Sequence, residues 1–270
     1  MADKSKLSLN QMTTAHWSVA EAVEGCVRHG ISSIGLWRHK IQETGLDCCV
    51  KLVKDAGLRV SSVCRGGMFP ALTGPERRKN IEDNFRAADE AAALQADSLV
   101  LVVGGCVGID LDEARKMVAD GVAELVPYAR EREVRIGLEP LHPMYAADRS
   151  VMVTIDHALN LASAYDPSEA GVILDVFHIW WDPRVAELIA QSAGRILGFH
   201  VSDWLVPIPD ILLGRGMMGD GVIDIRGLRR LVEQAGYDGP IEVEIFSRTL
   251  WDQDPDTVLV QVIERFEKLV

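Results

Sequence analysis

Short apolar segments alternate with longer amphipathic segments eight times along this chain of 270 residues. The apolar segments are rich in valine, isoleucine and leucine, as is typical of strands buried on both faces. Strands are predicted over Leu7–Asn10, Ser33–Trp37, Arg59–Cys64, Ser98–Val103, Arg135–Glu139, Gly171–Asp175, Ile196–His200 and Ile241–Ile245. Helices are predicted near Val19–His29, Leu46–Ala56, Pro75–Leu94, Leu111–Arg132, Thr154–Ala164, Ala186–Gln191, Ile225–Gln234 and Thr257–Leu269. Strict alternation favours parallel pairing, and eight repeats favour a closed barrel; the sequence predicts an α/β fold, a (β/α)8 TIM barrel.

Glycines that can end the predicted helices agree with this alternation. Gly30, Gly57 and Gly236 each follow a helix-like segment and can adopt the left-handed conformation that ends a helix. No linker or change of composition divides the chain, and about 250 residues is the usual size of one barrel. Residues 1–270 are therefore expected to form a single domain.

Composition and charge narrow the possible partners. The net charge is −12, and an acidic surface repels the phosphate backbones of nucleic acids. No apolar run reaches the roughly 20 residues that span a bilayer, and the polar first six residues do not resemble a signal peptide. The five cysteines lack CxxC spacing, as is typical of reduced thiols. We expect a soluble cytoplasmic protein with neither a nucleic-acid nor a membrane partner.

Four predicted strands in the second half of the chain close with a residue that can bind a metal ion. These residues are Glu139, Asp175, His200 and Glu244. Any one of them could simply cap a following helix. In a barrel, however, the carboxyl ends of all strands face one mouth, so the four side chains are expected to converge. Three carboxylates aimed at one point repel one another unless a cation neutralises them.

The predicted ligands indicate which metal to expect. Three carboxylates and one imidazole form an oxygen-rich site that suits Mn2+, with Mg2+ or Co2+ as alternatives. Zn2+ is less favoured because it more often recruits cysteine or several histidines. The sequence therefore predicts one bound divalent ion.

The motifs around these residues resemble those of the xylose isomerase-like TIM barrels. Glu139 closes the fifth strand, Asp-Val-Phe-His begins at Asp175, His-Val-Ser-Asp begins at His200, and Glu244 closes the eighth strand. The resemblance covers essentially the whole chain. That group includes sugar phosphate isomerases, ketose 3-epimerases, hydroxypyruvate isomerases, inosose-processing enzymes and apurinic endonucleases, so the resemblance leaves the substrate open.

The resemblance implies roles for particular residues. Glu139 and Glu244 would bind the metal and also act as an acid/base pair on opposite faces of the substrate. Asp175 and His200 would complete the metal shell. His178 would form a hydrogen bond with a substrate oxygen, and Arg215 would match a loop arginine that holds substrate oxygens.

Three further residues are candidates because of their positions. His142 lies three residues after Glu139, where it could contact substrate or orient that glutamate. Trp37 and Arg65 follow the second and third strands and are expected to line the pocket, although the segment after Cys64 could also be a plain turn.

Four functions are compatible with these residues. We favour a metal-dependent isomerase or epimerase that acts on a small keto sugar or keto-polyol through an enediolate. The alternative is a metal-dependent lyase, similar to inosose dehydratases or to the large subunit of C-glycoside deglycosidases, which would need a small partner chain. An apurinic endonuclease is disfavoured because the expected extra histidines are missing, and a binding protein without turnover because the acid/base pair is intact. We expect a homo-oligomer.

Overall fold

Eight parallel strands close into a barrel in the computed structural model, which describes residues 3–270. The barrel strands are β1 (Leu7–Asn10), β2 (Ser33–Trp37), β3 (Arg59–Gly67), β4 (Leu99–Val102), β5 (Ile136–Leu138), β6 (Ala170–Asp175), β7 (Ile196–Val201) and β10 (Ile241–Val243). Between β7 and β10, the short strands β8 (Asp203–Trp204) and β9 (Arg215–Gly216) form a separate antiparallel pair. Around the barrel they lie in the order β1, β10, β7, β6, β5, β4, β3, β2. The first and last strands pair directly, with Leu7 opposite Ile241. The (β/α)8 prediction is confirmed.

Helices surround the barrel and connect its strands. They are α1 (Val19–His29), α2 (Arg38–Thr44), α3 (Leu46–Asp55), α4 (Gly74–Ala93), α5 (Leu111–Arg130), α6 (Ile155–Ala162), α7 (Val176–Ile179), α8 (Val185–Gln191), α9 (Ile225–Gln234), α10 (Arg248–Trp251) and α11 (Pro255–Leu269). The eight predicted helices are present within about two residues of their expected ends; the short α2, α7 and α10 were not predicted. Within residues 3–270, every helix is too short or too polar to span a bilayer.

Side-chain caps explain where helices begin. Ser18 accepts a hydrogen bond from the backbone N–H of Glu21, whose carboxylate accepts one in return from the backbone of Ser18. Thr73 and Glu76 form the same reciprocal pair at the start of α4. Gly30 ends α1 with a φ of 63°, which is the left-handed conformation that its lack of a Cβ permits.

The end of β3 is irregular and is held by α4. Cys64 pairs with Val100 and Gly66 with Leu101, so Arg65 is an extra, bulged residue in the ladder between β3 and β4. The fully buried Asn84 of α4 accepts a hydrogen bond from the Gly67 N–H at 2.6 Å and donates one to its carbonyl oxygen at 2.7 Å. This side chain therefore fixes the strand where it enters the mouth of the barrel.

We predict that Asn84→Ala lowers the free energy of unfolding by about 2 kcal/mol or more, because each buried polar partner left unsatisfied costs about 1–3 kcal/mol. Chemical denaturation of the purified protein measures this change. Asn160→Ala, at an exposed position of α6, is the matched control. Equal stabilities of the two variants would show that Asn84 does not anchor β3.

Candidate metal centre

The four predicted ligands meet at the mouth of the barrel. Glu139 directly follows β5, Asp175 ends β6, His200 lies in β7, and Glu244 directly follows β10. All four side chains are buried, and one potential ligand atom from each lies within 4.8 Å of the others. The convergence expected from the strand ends is therefore present in the structure.

Two of the carboxylates are oriented by hydrogen bonds to one of their oxygens. Oδ1 of Asp175 accepts a hydrogen bond from the Phe177 N–H at 2.9 Å, and Oε1 of Glu244 accepts one from Nδ2 of Asn10 at 3.0 Å. In both residues the second oxygen accepts a hydrogen bond from Nη1 of Arg215. The fold thus uses one oxygen to hold each carboxylate, and the other could bind a metal ion beside Arg215 or in its place.

The remaining two ligands present atoms that lack a partner. Oε1 of Glu139 and Nδ1 of His200 are buried and make no hydrogen bond within the described part of the chain. They lie 3.6 Å apart. Buried polar atoms are almost always paired, and unpaired ones in a cluster of hard donors are what a divalent cation would satisfy. The donor set therefore fits a metal ion.

Arg215 lies directly against the cluster. Its Nη1 donates hydrogen bonds to Oδ2 of Asp175 at 2.8 Å and to Oε2 of Glu244 at 3.0 Å. Its Nη2 lies 3.2 Å from Nε2 of His178. The guanidinium also packs over the rings of Phe177 and Phe246. The loop arginine that the resemblance implied is thus a buried cation beside two predicted ligands.

Burial and these charges shift the pKa values of the cluster. Burial raises the pKa of Glu139 to about 7. Burial opposes ionisation of Glu244 too, but Arg215 and His200 lower its pKa to about 2. The pKa of His200 is raised despite its burial, because Glu242, Glu139 and Glu244 surround it. Burial lowers the pKa of His178 to about 3, so that imidazole is neutral.

Glu242 is a buried carboxylate that the sequence reasoning missed. It accepts hydrogen bonds from Nδ2 of Asn10 at 2.6 Å, from Oγ of Ser61 at 2.7 Å and from Oγ of Ser62 at 2.9 Å. Its Oε1 lies 3.9 Å from Nε2 of His200. Glu242 and Glu244 are two residues apart on a strand and so share a face, which was the available signal.

A cavity of about 520 Å3 opens onto the cluster. Four of the predicted substrate contacts line it: Trp37, Arg65, His178 and Arg215. Of the four predicted ligands, Glu139 and Glu244 also reach this cavity. Lining residues that were not predicted include His39, Asn80, Tyr145, Arg149 and Phe246.

The substrate contact expected for His142 remains a prediction. This residue lies outside the cavity lining, and its Nδ1 accepts a hydrogen bond from the Met144 N–H at the start of a short 3-10 helix, Pro143–Tyr145. Its ring packs against Trp181 and Trp204. The turn carries the next aromatic residue, Tyr145, into the cavity in its place. The backbone N–H of His142 donates a hydrogen bond to Nδ1 of His178, which lines the cavity, at 3.2 Å.

The fold and the cluster define a parallel barrel with a candidate metal centre at its mouth. The chain belongs to the xylose isomerase-like TIM barrel family, whose model matches residues 23–269. A 3-dehydroshikimate dehydratase from Pseudomonas aeruginosa is 31% identical over 208 residues, 73% of this chain, and the chain spans only 31% of that longer protein. An L-ribulose-5-phosphate 3-epimerase from Escherichia coli is 24% identical over 210 residues, 75% of this chain and 70% of that protein.

Solved structures agree on the fold. A protein from Sinorhizobium meliloti 1021 has a TM-score of 0.96 and 44% identity, with 99% of both chains covered. The IolI protein, whose crystal structure holds a zinc atom, has a TM-score of 0.83 and 19% identity, with 98% of this chain and 99% of that chain covered. The second likeness shows the fold alone.

We predict that Asp175→Ala weakens Mn2+ binding by at least about 100-fold, because even the loss of an outer partner of a ligand costs 10–100-fold in metal affinity. Titration calorimetry on metal-stripped protein measures the affinity. Asp148→Ala, at an exposed position near the mouth, is the control. Unchanged binding by Asp175→Ala would remove this residue from the metal site.

Glu242→Gln preserves the shape of the side chain and removes its charge. We expect Mn2+ affinity to fall by about 10–100-fold, because Glu242 faces His200 and shares Asn10 with Glu244. The thermal unfolding curve should remain cooperative. Full metal affinity in this variant would assign Glu242 a purely structural role.

Proposed function

We propose that this protein is a divalent-metal-dependent isomerase or epimerase that moves a proton next to the carbonyl of a small keto sugar or keto-polyol. The observation that carries the proposal is that two of the four clustered ligands, Glu139 and Glu244, also line the cavity. Asp175 and His200 do not line it. The volume of the cavity is in the range that small-molecule sites occupy.

The two glutamates approach the cavity from different sides. They follow β5 and β10, which are three steps apart in the ring of eight strands. A substrate carbon between them could lose a proton to one carboxylate and regain it from the other, which inverts the centre, or regain it at the neighbouring carbon, which isomerises the sugar. Both routes pass through an enediolate.

The surrounding residues support this chemistry. A divalent ion held by Glu139, Asp175, His200 and Glu244 would supply Lewis-acid stabilisation of negative charge on the substrate oxygens. The oxygen-rich donor set favours Mn2+ for this role. The neutral His178 and the cation Arg215 line the cavity beside the ligands, where they can form hydrogen bonds with substrate oxygens and orient the substrate. Trp37 and Phe246 provide an apolar wall.

A lyase is the second candidate, and the likeness to a 3-dehydroshikimate dehydratase favours it. The first step would be the same proton abstraction next to a ketone. The reaction would differ only in the second step, in which a β-hydroxyl leaves as water after protonation by the other carboxylate. The products, rather than the residues, distinguish the two reactions.

We predict that Glu139→Gln and Glu244→Gln each reduce solvent-deuterium incorporation by about 10²–10⁴-fold, the usual contribution of a general acid or base. Mass spectrometry in D2O would follow ketoses, keto-inositols, 3-keto-glycosides and 3-dehydroshikimate, with Mn2+ and with EDTA. Because both residues are also predicted ligands, rates must be compared at equal metal occupancy.

The exposed Glu113→Gln variant is the matched control for loss of a carboxylate. Label in an intact substrate or its isomer supports the isomerase or epimerase, whereas loss of water supports the lyase. Near-normal exchange by either glutamate variant would remove that residue from the acid/base role.

A further inference from the structure

Two arginines that line the cavity have no acidic partner. Neither Arg65 nor Arg149 has a carboxylate oxygen within 4.0 Å in residues 3–270. The side chain of Arg65 contacts Sδ of Met68 at 4.0 Å, and the guanidinium carbon of Arg149 lies 5.9 Å from the ring centre of Tyr145. From these two side chains we infer that the substrate carries an anionic group, a carboxylate or a phosphate. The inference rests on the proposed function only in taking this cavity as the substrate site.

The other arginines of the cavity show that acidic partners are available to this chain. Arg38 pairs with Asp83 at 2.7 Å and also with Glu90, and Arg215 pairs with Asp175 and Glu244. The chain has 40 acidic and 28 basic residues, so a cation without a partner is not a consequence of too few carboxylates. Both free arginines are half-buried, where a bound anion could replace the water around them.

Backbone irregularity places Arg65 at the cavity. Its two neighbours, Cys64 and Gly66, pair with successive residues of β4, so Arg65 is the bulged residue. A bulge re-aims a side chain that a regular strand would direct elsewhere, and bulges are common beside active sites. Asn84 holds the end of this strand through Gly67. The position of Arg65 is therefore fixed by the barrel and does not depend on a mobile loop.

Arg149 is held in a similar way on the segment that follows β5. Its carbonyl oxygen accepts a hydrogen bond from the Gly104 N–H at 3.0 Å, and its own N–H donates to the carbonyl oxygen of Tyr145 at 2.9 Å. Gly104 also forms a parallel bridge with Ser150. The segments after β4 and β5 thus extend the barrel wall above the mouth and carry Arg149 on it.

The guanidinium groups of these two arginines favour an anionic ligand over a neutral one. The planar guanidinium donates two parallel hydrogen bonds to a carboxylate or a phosphate, which an uncharged hydroxyl cannot match. The carboxylates Glu139 and Glu244, which line the same cavity, would repel that anionic group. A substrate would therefore bind with its anionic end at Arg65 and Arg149 and its keto end at the metal centre.

Calorimetric binding to the Mn2+-loaded protein tests the inference with matched pairs of probes. D-fructose 6-phosphate is compared with D-fructose, and 3-dehydroshikimate with its methyl ester. We expect one anion to bind at least about tenfold more tightly than its neutral partner, and Arg65→Gln or Arg149→Gln to weaken its binding by about 10–100-fold. Arg226→Gln, at an exposed position that forms no ion pair with residues 3–270, should bind as the wild type does.

Tighter binding of fructose 6-phosphate than of fructose would identify the anion as a phosphate. Tighter binding of 3-dehydroshikimate than of its methyl ester would identify it as a carboxylate. Equal binding of charged and neutral probes, binding of neither anion, or a preference that survives both substitutions would overturn the inference. The readout does not require turnover. Deuterium exchange on neutral ketoses without an anion preference would therefore overturn this inference alone, and anion binding without exchange on any compound would overturn only the proposed reaction.

Discussion

Three carboxylates and one imidazole share a buried space at the mouth of this barrel, with one ligand atom of each within 4.8 Å of the others. At an effective dielectric constant of 20, two like charges about 4 Å apart repel one another by about 4 kcal/mol. The surrounding structure offsets this repulsion: Arg215 contacts two of the carboxylates, and Asn10 donates hydrogen bonds to Glu242 and Glu244. The unpaired atoms of Glu139 and His200 are what a divalent cation would satisfy. The site therefore depends on positive charge, from Arg215 and from the divalent cation that it is predicted to bind.

The barrel brings the predicted metal ligands Glu139 and Glu244 and the two arginines proposed to bind an anion to one cavity. The predicted metal ligands lie on or directly after strands β5, β6, β7 and β10, which are neighbours in the closed sheet. The two arginines without an acidic partner in residues 3–270 lie at the bulged end of β3 and in the segment that follows β5 and Glu139. Loop variation on a constant set of strand ends is how barrels of this kind support different reactions.

The alternation of apolar and amphipathic segments, and the polar residues at the ends of the predicted strands, made much of this structure predictable. The eightfold alternation gave the barrel, and strand ends gave the four clustered residues, because strand direction alone places them at one mouth. The other residues that line the cavity were harder to predict because they lie on irregular backbone segments. The turn that begins at Pro143 leaves His142 outside the cavity lining and brings Tyr145 into it. Arg65 lines the cavity as predicted, but the bulge that places it there was not predicted. Arg149 lies on an irregular segment with no periodic signal. The alternation of side chains along a strand could have predicted that Glu242 faces the same way as Glu244. Its hydrogen-bond partners Asn10, Ser61 and Ser62 could not be predicted in this way, because they come from strands distant in sequence.

Anomalous diffraction from crystals grown with Mn2+ tests the central claim most directly. The account predicts one strong peak at the mouth of the barrel, within bonding distance of Glu139, Asp175, Nδ1 of His200 and Glu244, with Arg215 turned towards the cavity or kept at the edge of the site. A peak bound by other residues would contradict the account. So would an absence of density at the cluster with Arg215 still between Asp175 and Glu244, because the guanidinium would then be the permanent cation of the site.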